Sequence, residues 1–502
     1  MMVRYIKVEP DTTKVLPYLR AIGEDFRIGN RYPLYYRHMD RTELYLQLVM
    51  EQPILLAPVF LFIIAFAVVP AEKKLFMTLL ILVPWLTIAR SPGIGPIAAA
   101  AKISSGIAYL LIAYSAYLHP GPKRHIPAVV WMYVIIACMG VIYVMTTQER
   151  MLALVLRSQW ICVTIAGVLT ARTIVHFSDL KRVMDALTWG CIVALIIPLS
   201  GLILFPTESF LKGQGRFQPW GVNSNQIGML FALATPLLAY SLMSLKKASL
   251  KPLFLSALVL TIGMALLTGS RQTLLAIFLV MIPVIFVMLK RPIVTICILG
   301  VAVIGLSWLL SIGQEAEFQR LGTLQTGRIG IWKEYWTEVF PNRPLFGLLG
   351  TSGESYFKAV SEVGQHPHNA WFYLMYIGGL SFAAPMVYLT IYSTYSGWKL
   401  WKFRKYLPGD PMIYNILVMV LIAMYIQGMF NQVVYWPTYT WSFLHVVLAS
   451  TFICIWRDIK DGNLQGALLE DSDFSSEDWE QEESVDDENF EDYGKNDHRL
   501  VT

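Results

Sequence analysis

Charge is scarce in this chain. Asp, Glu, Lys and Arg make up only 15% of its 502 residues, against about 25% in soluble domains, which excludes an ordinary water-soluble protein. Cysteine is scarcer still. The five cysteines (Cys138, Cys162, Cys191, Cys297 and Cys454) all sit in apolar runs, so neither a disulfide framework nor a CxxC metal site is expected. There is no GxxxxGK[ST] phosphate loop, which argues against an ATPase. The first fifty residues are polar and of mixed charge, so no cleavable signal peptide is expected. The alternating short segments of a membrane β-barrel are missing as well.

What fills the chain instead is apolar sequence. Hydrophobic residues make up 55% and the mean hydropathy is +0.51. Runs such as 54–69, 126–145, 183–205 and 251–267 reach or approach the roughly 20 residues that cross a bilayer as helix. The fold class expected is an all-α polytopic membrane protein. Thirteen candidate spans lie near 54–70, 74–90, 97–118, 126–146, 151–171, 183–205, 225–245, 251–268, 271–289, 292–312, 369–397, 412–430 and 438–456. About 12 transmembrane helices are expected, with one of the first two short runs not crossing. Five segments follow: an N-terminal cytoplasmic segment at 1–53, membrane helices at 54–312, a long periplasmic loop at 313–368, C-terminal membrane helices at 369–456 and a tail at 457–502. The net charge of +5 hides 13 acidic residues and no Lys or Arg between 470 and 492, the composition of a disordered, solvated tail.

Lys and Arg in short loops mark the cytoplasmic side. Lys123-Arg124, the loop from Arg172 to Arg182, Lys246-Lys247, Lys290-Arg291 and the stretch from Trp401 to Lys405 all fall on one side if the chain alternates from the third span onward. The loop at 313–368 then lies on the other side, where loops this long are usually functional or disordered. Three spans also begin on that side, each with polar residues. Arg216, Asn223 and Asn225 precede one, Ser270 and Arg271 open another, and His366, His368 and Asn369 open the third. A fourth helix start is expected inside the loop, where Ile329, Trp332, Trp336 and Phe340 follow Arg328 at helical spacing, the pattern of a short interfacial helix.

Helix starts carry partial positive charge and free N–H donors, and Arg grips phosphate through two donors at once. Arg216, Arg271 and Arg328 together therefore predict a pocket for phosphate or pyrophosphate. Blander roles compete: Arg271 as a snorkelling anchor, Arg328 against headgroups, and Asn223 and Asn225 as turn and cap residues. His366 and His368 form an HxH pair without a recognisable third ligand, so no metal and no cofactor are expected. His368, at a helix start and near Arg residues, should stay neutral and accept a proton. Lys102, Arg157 and Asp185 fall within spans, where charge is costly, and Gln427 and Asn431 lie near the outer end of the twelfth span.

In this order, Arg-Phe and Asn-x-Asn (Arg216, Phe217, Asn223, Asn225), Leu-Thr-Gly-Ser-Arg (267–271), Gly-Arg-x-x-x-Trp (Gly327, Arg328, Trp332), Pro-Leu-Phe-Gly (344–347), His-x-His-Asn (366–369) and Gly-Gly-Leu (378–380) resemble the O-antigen ligase and O-antigen polymerase superfamily of bacterial membrane glycosyltransferases. The resemblance implies a multi-pass protein of the bacterial inner membrane. It implies metal-independent transfer of a glycan from an undecaprenyl-pyrophosphate carrier to an acceptor hydroxyl at the periplasmic face. The acceptor, whether lipid, glycan or protein, stays open. Carried over by motif, Arg271 and Arg328 would hold the pyrophosphate and His368 would assist the acceptor, with no nucleic acid involved. A transporter or flippase for a lipid-linked or anionic solute is the alternative; it predicts an internal repeat and broken helices, neither of which is visible in the sequence.

Overall fold

The computed structural model describes residues 53–146, 150–210, 215–245, 247–289, 328–341, 344–347, 369–405, 407–430 and 439–461. The N-terminal segment, the span near 292–312, most of the long loop (with His366 and His368) and the acidic tail lie outside the described residues.

Thirteen α-helices run in chain order among the described residues. They are α1 (Ala57–Val68), α2 (Ala71–Ala89), α3 (Pro96–Leu118), α4 (Ala128–Ile142), α5 (Arg150–Thr173), α6 (Phe177–Leu204) and α7 (Ser224–Ser244). Then come α8 (Lys251–Leu267), α9 (Arg271–Leu289), the short α10 (Arg328–Glu334), α11 (Ala370–Lys402), α12 (Pro411–Gly428) and α13 (Thr440–Lys460). Among the described residues there is no strand, only an isolated bridge between Phe210 and Phe217. Among the described residues, eight helices are long and apolar enough to cross a membrane, and α4 and most of α9 are shorter apolar helices. At about 1.5 Å per residue the 12 residues of α1 cover roughly 18 Å, less than the roughly 30 Å hydrocarbon core.

Local chemistry sets the helix ends. Asp410 accepts from the Met412 amide with Pro411 at the first helical position, which suits a residue lacking an N–H. His176 and Asp179 form a reciprocal capping box at the start of α6. The packing then follows from which helices are apolar all round. Buried residues circle nearly the whole of α7 and α13, as expected of helices inside a bundle, and Trp441 Nε1 donates to the Met229 carbonyl at 2.7 Å to join them. Large apolar side chains such as Ile196, Ile203, Leu255, Phe278 and Ile391 point outward, a surface suited to lipid.

Contacts between helix ends define two ends of the bundle. At one, Arg124 donates to the Ile174 carbonyl and pairs with Asp458, and Phe177 meets Tyr414. At the other, Arg90 lies over the Tyr439 ring, 3.7 Å from its centroid. Of the charges inside spans, Asp185 pairs with Lys181 at 2.6 Å. Arg157 lies over Gly140, where a Cβ would come within 3.1 Å of its Cδ. The four cysteines among the described residues are unbridged.

Candidate active site

The end of the bundle that carries Arg90 also gathers the starts of α7, α9 and α11. The segment entering α7 is pinned to the α8–α9 turn. Phe217 N donates to the Leu267 carbonyl at 3.0 Å. Arg216 Nε donates to the Thr268 carbonyl at 3.1 Å and its Nη2 to Asn225 Oδ1 at 3.0 Å. Arg216 is only 9% exposed. Its guanidinium therefore stitches two helix starts together, a role in the frame that its Gly-rich surroundings do not announce. Asn223 is the N-cap of α7, accepting from the Asn225 amide at 2.9 Å.

In the turn itself, Gly269 has φ 56°, a left-handed conformation that glycine adopts at no steric cost. It lets the chain reverse between Leu267 and Arg271. Ser270 is buried; its amide donates to Thr268 Oγ1 and its hydroxyl accepts from Thr273 Oγ1. Half-buried Arg271 is the first residue of α9, beside free helix-start amides.

A second seam joins α9 to α12 and α11. Gln427 Nε2 donates to the Gln272 carbonyl at 3.4 Å. Asn369 caps α11, accepting from the Trp371 and Phe372 amides, while its Nδ2 donates to the Met429 carbonyl at 3.1 Å. Hydrogen bonds from Arg216 to Thr268 and Asn225, from Gln427 to Gln272 and from Asn369 to Met429 thus tie the starts of α7, α9 and α11 to their neighbours. Both amide atoms of Gln272 and the Oε1 of Gln427 are buried without a partner.

The fourth start expected from the sequence is present as α10, which begins at Arg328 and ends in a π turn at Tyr335–Val339. The structure shows which side of it meets the bundle. Ile331 and Tyr335 are buried, whereas Ile329 and Trp336 are exposed, and Trp336 stacks on Phe340 at 4.8 Å. Trp332 and Tyr335 meet Phe372 at 6.0 and 5.4 Å, docking α10 on the first turns of α11. The Ile329–Trp336–Phe340 side thus faces away from the bundle. The structure does not describe the side chain of Arg328, nor His366 and His368.

One feature departs from the sequence reading: α11 is broken. Gly379 has φ 61° and ψ −151°, a region essentially confined to glycine. The break deprives Leu380 N and Ser381 N of helical acceptors. They donate instead to the carbonyls of Pro344 and Leu345 at 2.8 and 3.1 Å. Gly347, also at positive φ, lies so close that a Cβ would fall 2.6 Å from Gly379 N. The Pro-Leu-Phe-Gly and Gly-Gly-Leu pieces are therefore two halves of one joint. Arg90, a further cation at this end, was missed by sequence reasoning; its only signal is an Arg closing an apolar run before Ser-Pro-Gly.

Fold and site together define a multi-pass helical membrane protein with cationic helix starts gathered at one end, an arrangement suited to an anionic ligand. Residues 256–384 match the family model described as O-antigen ligase, a match to about a quarter of the chain that supports the likeness to the O-antigen ligase and polymerase superfamily. The match supports glycosyltransferase activity of the O-antigen ligase type in general. It takes in Arg271, Arg328, His366, His368 and Asn369 and leaves Arg216, Asn223 and Asn225 on its N-terminal side. No curated protein and no solved structure matches the chain.

Proposed function

We propose that this protein transfers a glycan from an undecaprenyl-pyrophosphate carrier to an acceptor hydroxyl at the periplasmic face of the bacterial inner membrane. The observation that carries the reading is the set of hydrogen bonds tying the starts of α7, α9 and α11 to their neighbours at one end of the bundle. The opposite end bears Arg124, Arg172, Lys181, Arg182, Lys247, Lys251, Lys402, Arg404 and Lys460. By the loop-charge rule that end is cytoplasmic and the gathered starts are external. With α1 too short to cross and the 292–312 run crossing, twelve spans keep both termini inside.

Arg271 and Arg328 grip the pyrophosphate, and Arg216 adds positive charge from a fixed position. The acceptor oxygen attacks the anomeric carbon from the face opposite the leaving group and inverts it. The carbon–oxygen bond to the pyrophosphate breaks and its electron pair passes to the phosphate oxygen, where the Arg residues and α9 amides stabilise the new charge. His368 takes the acceptor proton, with His366, Asn369 and Ser270 supporting the helix starts. The Arg side chains supply the neutralisation, so the transfer needs no metal. In an assay with purified protein and lipid-linked glycan, His368→Ala, Arg271→Ala and Arg328→Ala each lower turnover by at least about a hundredfold. Unchanged turnover in the three variants overturns this mechanism.

A second reading, movement of a lipid-linked or anionic solute across the membrane, draws on the break in α11, a feature common in transporters. Transfer of intact substrate across proteoliposomes without covalent change would favour it.

A further inference from the structure

Beside the start of α7 lies a half-open slot with a floor of about 40 Å³, which widens to about 400 Å³ when its open mouth is counted. Its walls are mainly apolar, with Leu86 from α2 and Ile227, Leu230 and Leu233 from α7. A cation sits among them. Arg90 lines the slot with Tyr439, its guanidinium 3.7 Å from the Tyr439 ring centroid, and its Nη2 is buried from solvent. Stacking uses the face of a guanidinium, whereas phosphate is bound through its N–H edge; the two are compatible.

The slot is not the site of Arg271 seen from another side. Gly228 of α7 faces α9, where its missing Cβ would fall 2.0 Å from Thr273 Oγ1, while Ile227 and Leu230 of the same turns face the slot. The body of α7 stands between them, and a helix with its side chains is roughly 10 Å across. One phosphate cannot be shared across that distance.

We propose that the Arg90 slot is a second lipid site, which takes the phosphate head and the first part of the tail of a phosphate-bearing lipid while Arg271 holds a different anion. A desolvated cation at the mouth of an apolar slot matches an amphiphile whose charge and hydrocarbon are adjacent. The inference rests on the cavity and its cation and does not depend on the transfer chemistry.

The experiment reads lipid retained by detergent-purified, full-length protein by native mass spectrometry. It is run in an Arg271→Ala/Arg328→Ala background so that only the slot reports. Undecaprenyl phosphate, undecaprenol and phosphatidylglycerol serve as probes. Retention of undecaprenyl phosphate falls at least tenfold in Arg90→Gln and in Leu230→Phe, which fills the slot without touching the cation. Arg90→Lys keeps part of it, and undecaprenol, which has no phosphate, is retained at least tenfold less. Retention of phosphatidylglycerol with the same Arg90 dependence assigns the slot to membrane phospholipid; its exclusion assigns the slot to an isoprenoid carrier. If undecaprenyl phosphate and phosphatidylglycerol both fail to bind, or bind equally well in Arg90→Gln and Leu230→Phe, the proposal is overturned, whatever the Arg271 variants do to transfer.

Discussion

Replacing Gly379 by alanine tests the joint on which α11 depends. Two costs arise together. The backbone at φ 61° and ψ −151° lies in a region that costs an L-residue on the order of 1–3 kcal/mol. The new Cβ would also fall 2.5 Å from the Leu345 carbonyl carbon and 2.6 Å from Gly347 N. Those are backbone atoms and no rotamer change relieves them, so the 344–347 segment must move. When it moves, the Leu380 and Ser381 amides lose the Pro344 and Leu345 carbonyls, and each stranded amide costs about 1–3 kcal/mol. The expected destabilisation is about 3–6 kcal/mol, since partial relaxation recovers some of each term. For the 331 described residues at about 2.1 cal/mol/K each, that lowers the melting temperature of detergent-purified protein by roughly 4–9 °C. Gly263→Ala is the control. Nothing lies within 4 Å of its added Cβ, so the ordinary preference of helix interiors for alanine leaves stability unchanged or raises it slightly. Hydrogen exchange over 378–385 should quicken in Gly379→Ala alone. A Gly379→Ala protein that melts with the control and keeps those amides protected would falsify the account of the joint.

Three further outcomes follow from the packing and the titration of single residues. Arg216→Lys lowers both stability and transfer, because one ammonium cannot reproduce the forked contact with the Thr268 carbonyl and Asn225 Oδ1; Arg271→Lys lowers transfer with little change in melting temperature, and equal melting of the two variants would contradict the assignment of Arg216 to the frame. Gly228→Ala destabilises through the 2.0 Å approach to Thr273 Oγ1, and Thr273→Ala in the same chain recovers part of the loss, a coupling of about 0.5–3 kcal/mol in a double-mutant cycle. His119, just beyond the end of α3, has its pKa lowered from 6.5 by burial, with Asp179 opposing and Arg182 and Lys123 adding to the effect; the folded state thus favours its neutral form, and its stability is full above pH 6.5 and lost as pH falls from there through the lowered folded value, so melting curves of His119→Gln should be flatter over that interval, and a wild-type slope there would refute the linkage.

The spans were legible because each is a continuous apolar run closed by proline, glycine or basic residues. The runs at 97–118, 225–245 and 251–268 match α3, α7 and α8 to within a residue or two. Helix starts were legible for a related reason: Asn223 and Asn369 are cap residues by local chemistry, and local chemistry is what sequence displays. The break at Gly379 was not legible. A Gly-Gly pair inside an apolar helix is ordinarily tolerated, and what makes it a break is a carbonyl pair more than thirty residues away. The inner face of α10 was not legible either, because helical spacing marks an apolar stripe without saying whether protein or lipid covers it. At α10 the Tyr335 side took the protein contact, against Phe372 and Tyr376.

The cations at this end divide by what already holds them. Arg216 is buried and committed to a carbonyl and an amide oxygen, so its contribution to an anion is mainly a fixed charge. Arg271 sits at the first position of α9, next to backbone amides that no helical acceptor can reach, and a ligand approaching it meets side chain and helix start at once. Arg90 is set in apolar walls over an aromatic ring, where a phosphate must bring hydrocarbon with it to fill the space. Three arginines that look alike in the sequence are therefore held differently: one is locked into the frame, one opens a helix, and one lies over a ring in an apolar slot, which is why we propose a structural, a diphosphate-binding and a lipid-binding role for them. The distinction follows from hydrogen bonds and burial, and it fixes which substitution should alter melting, which turnover and which lipid retention.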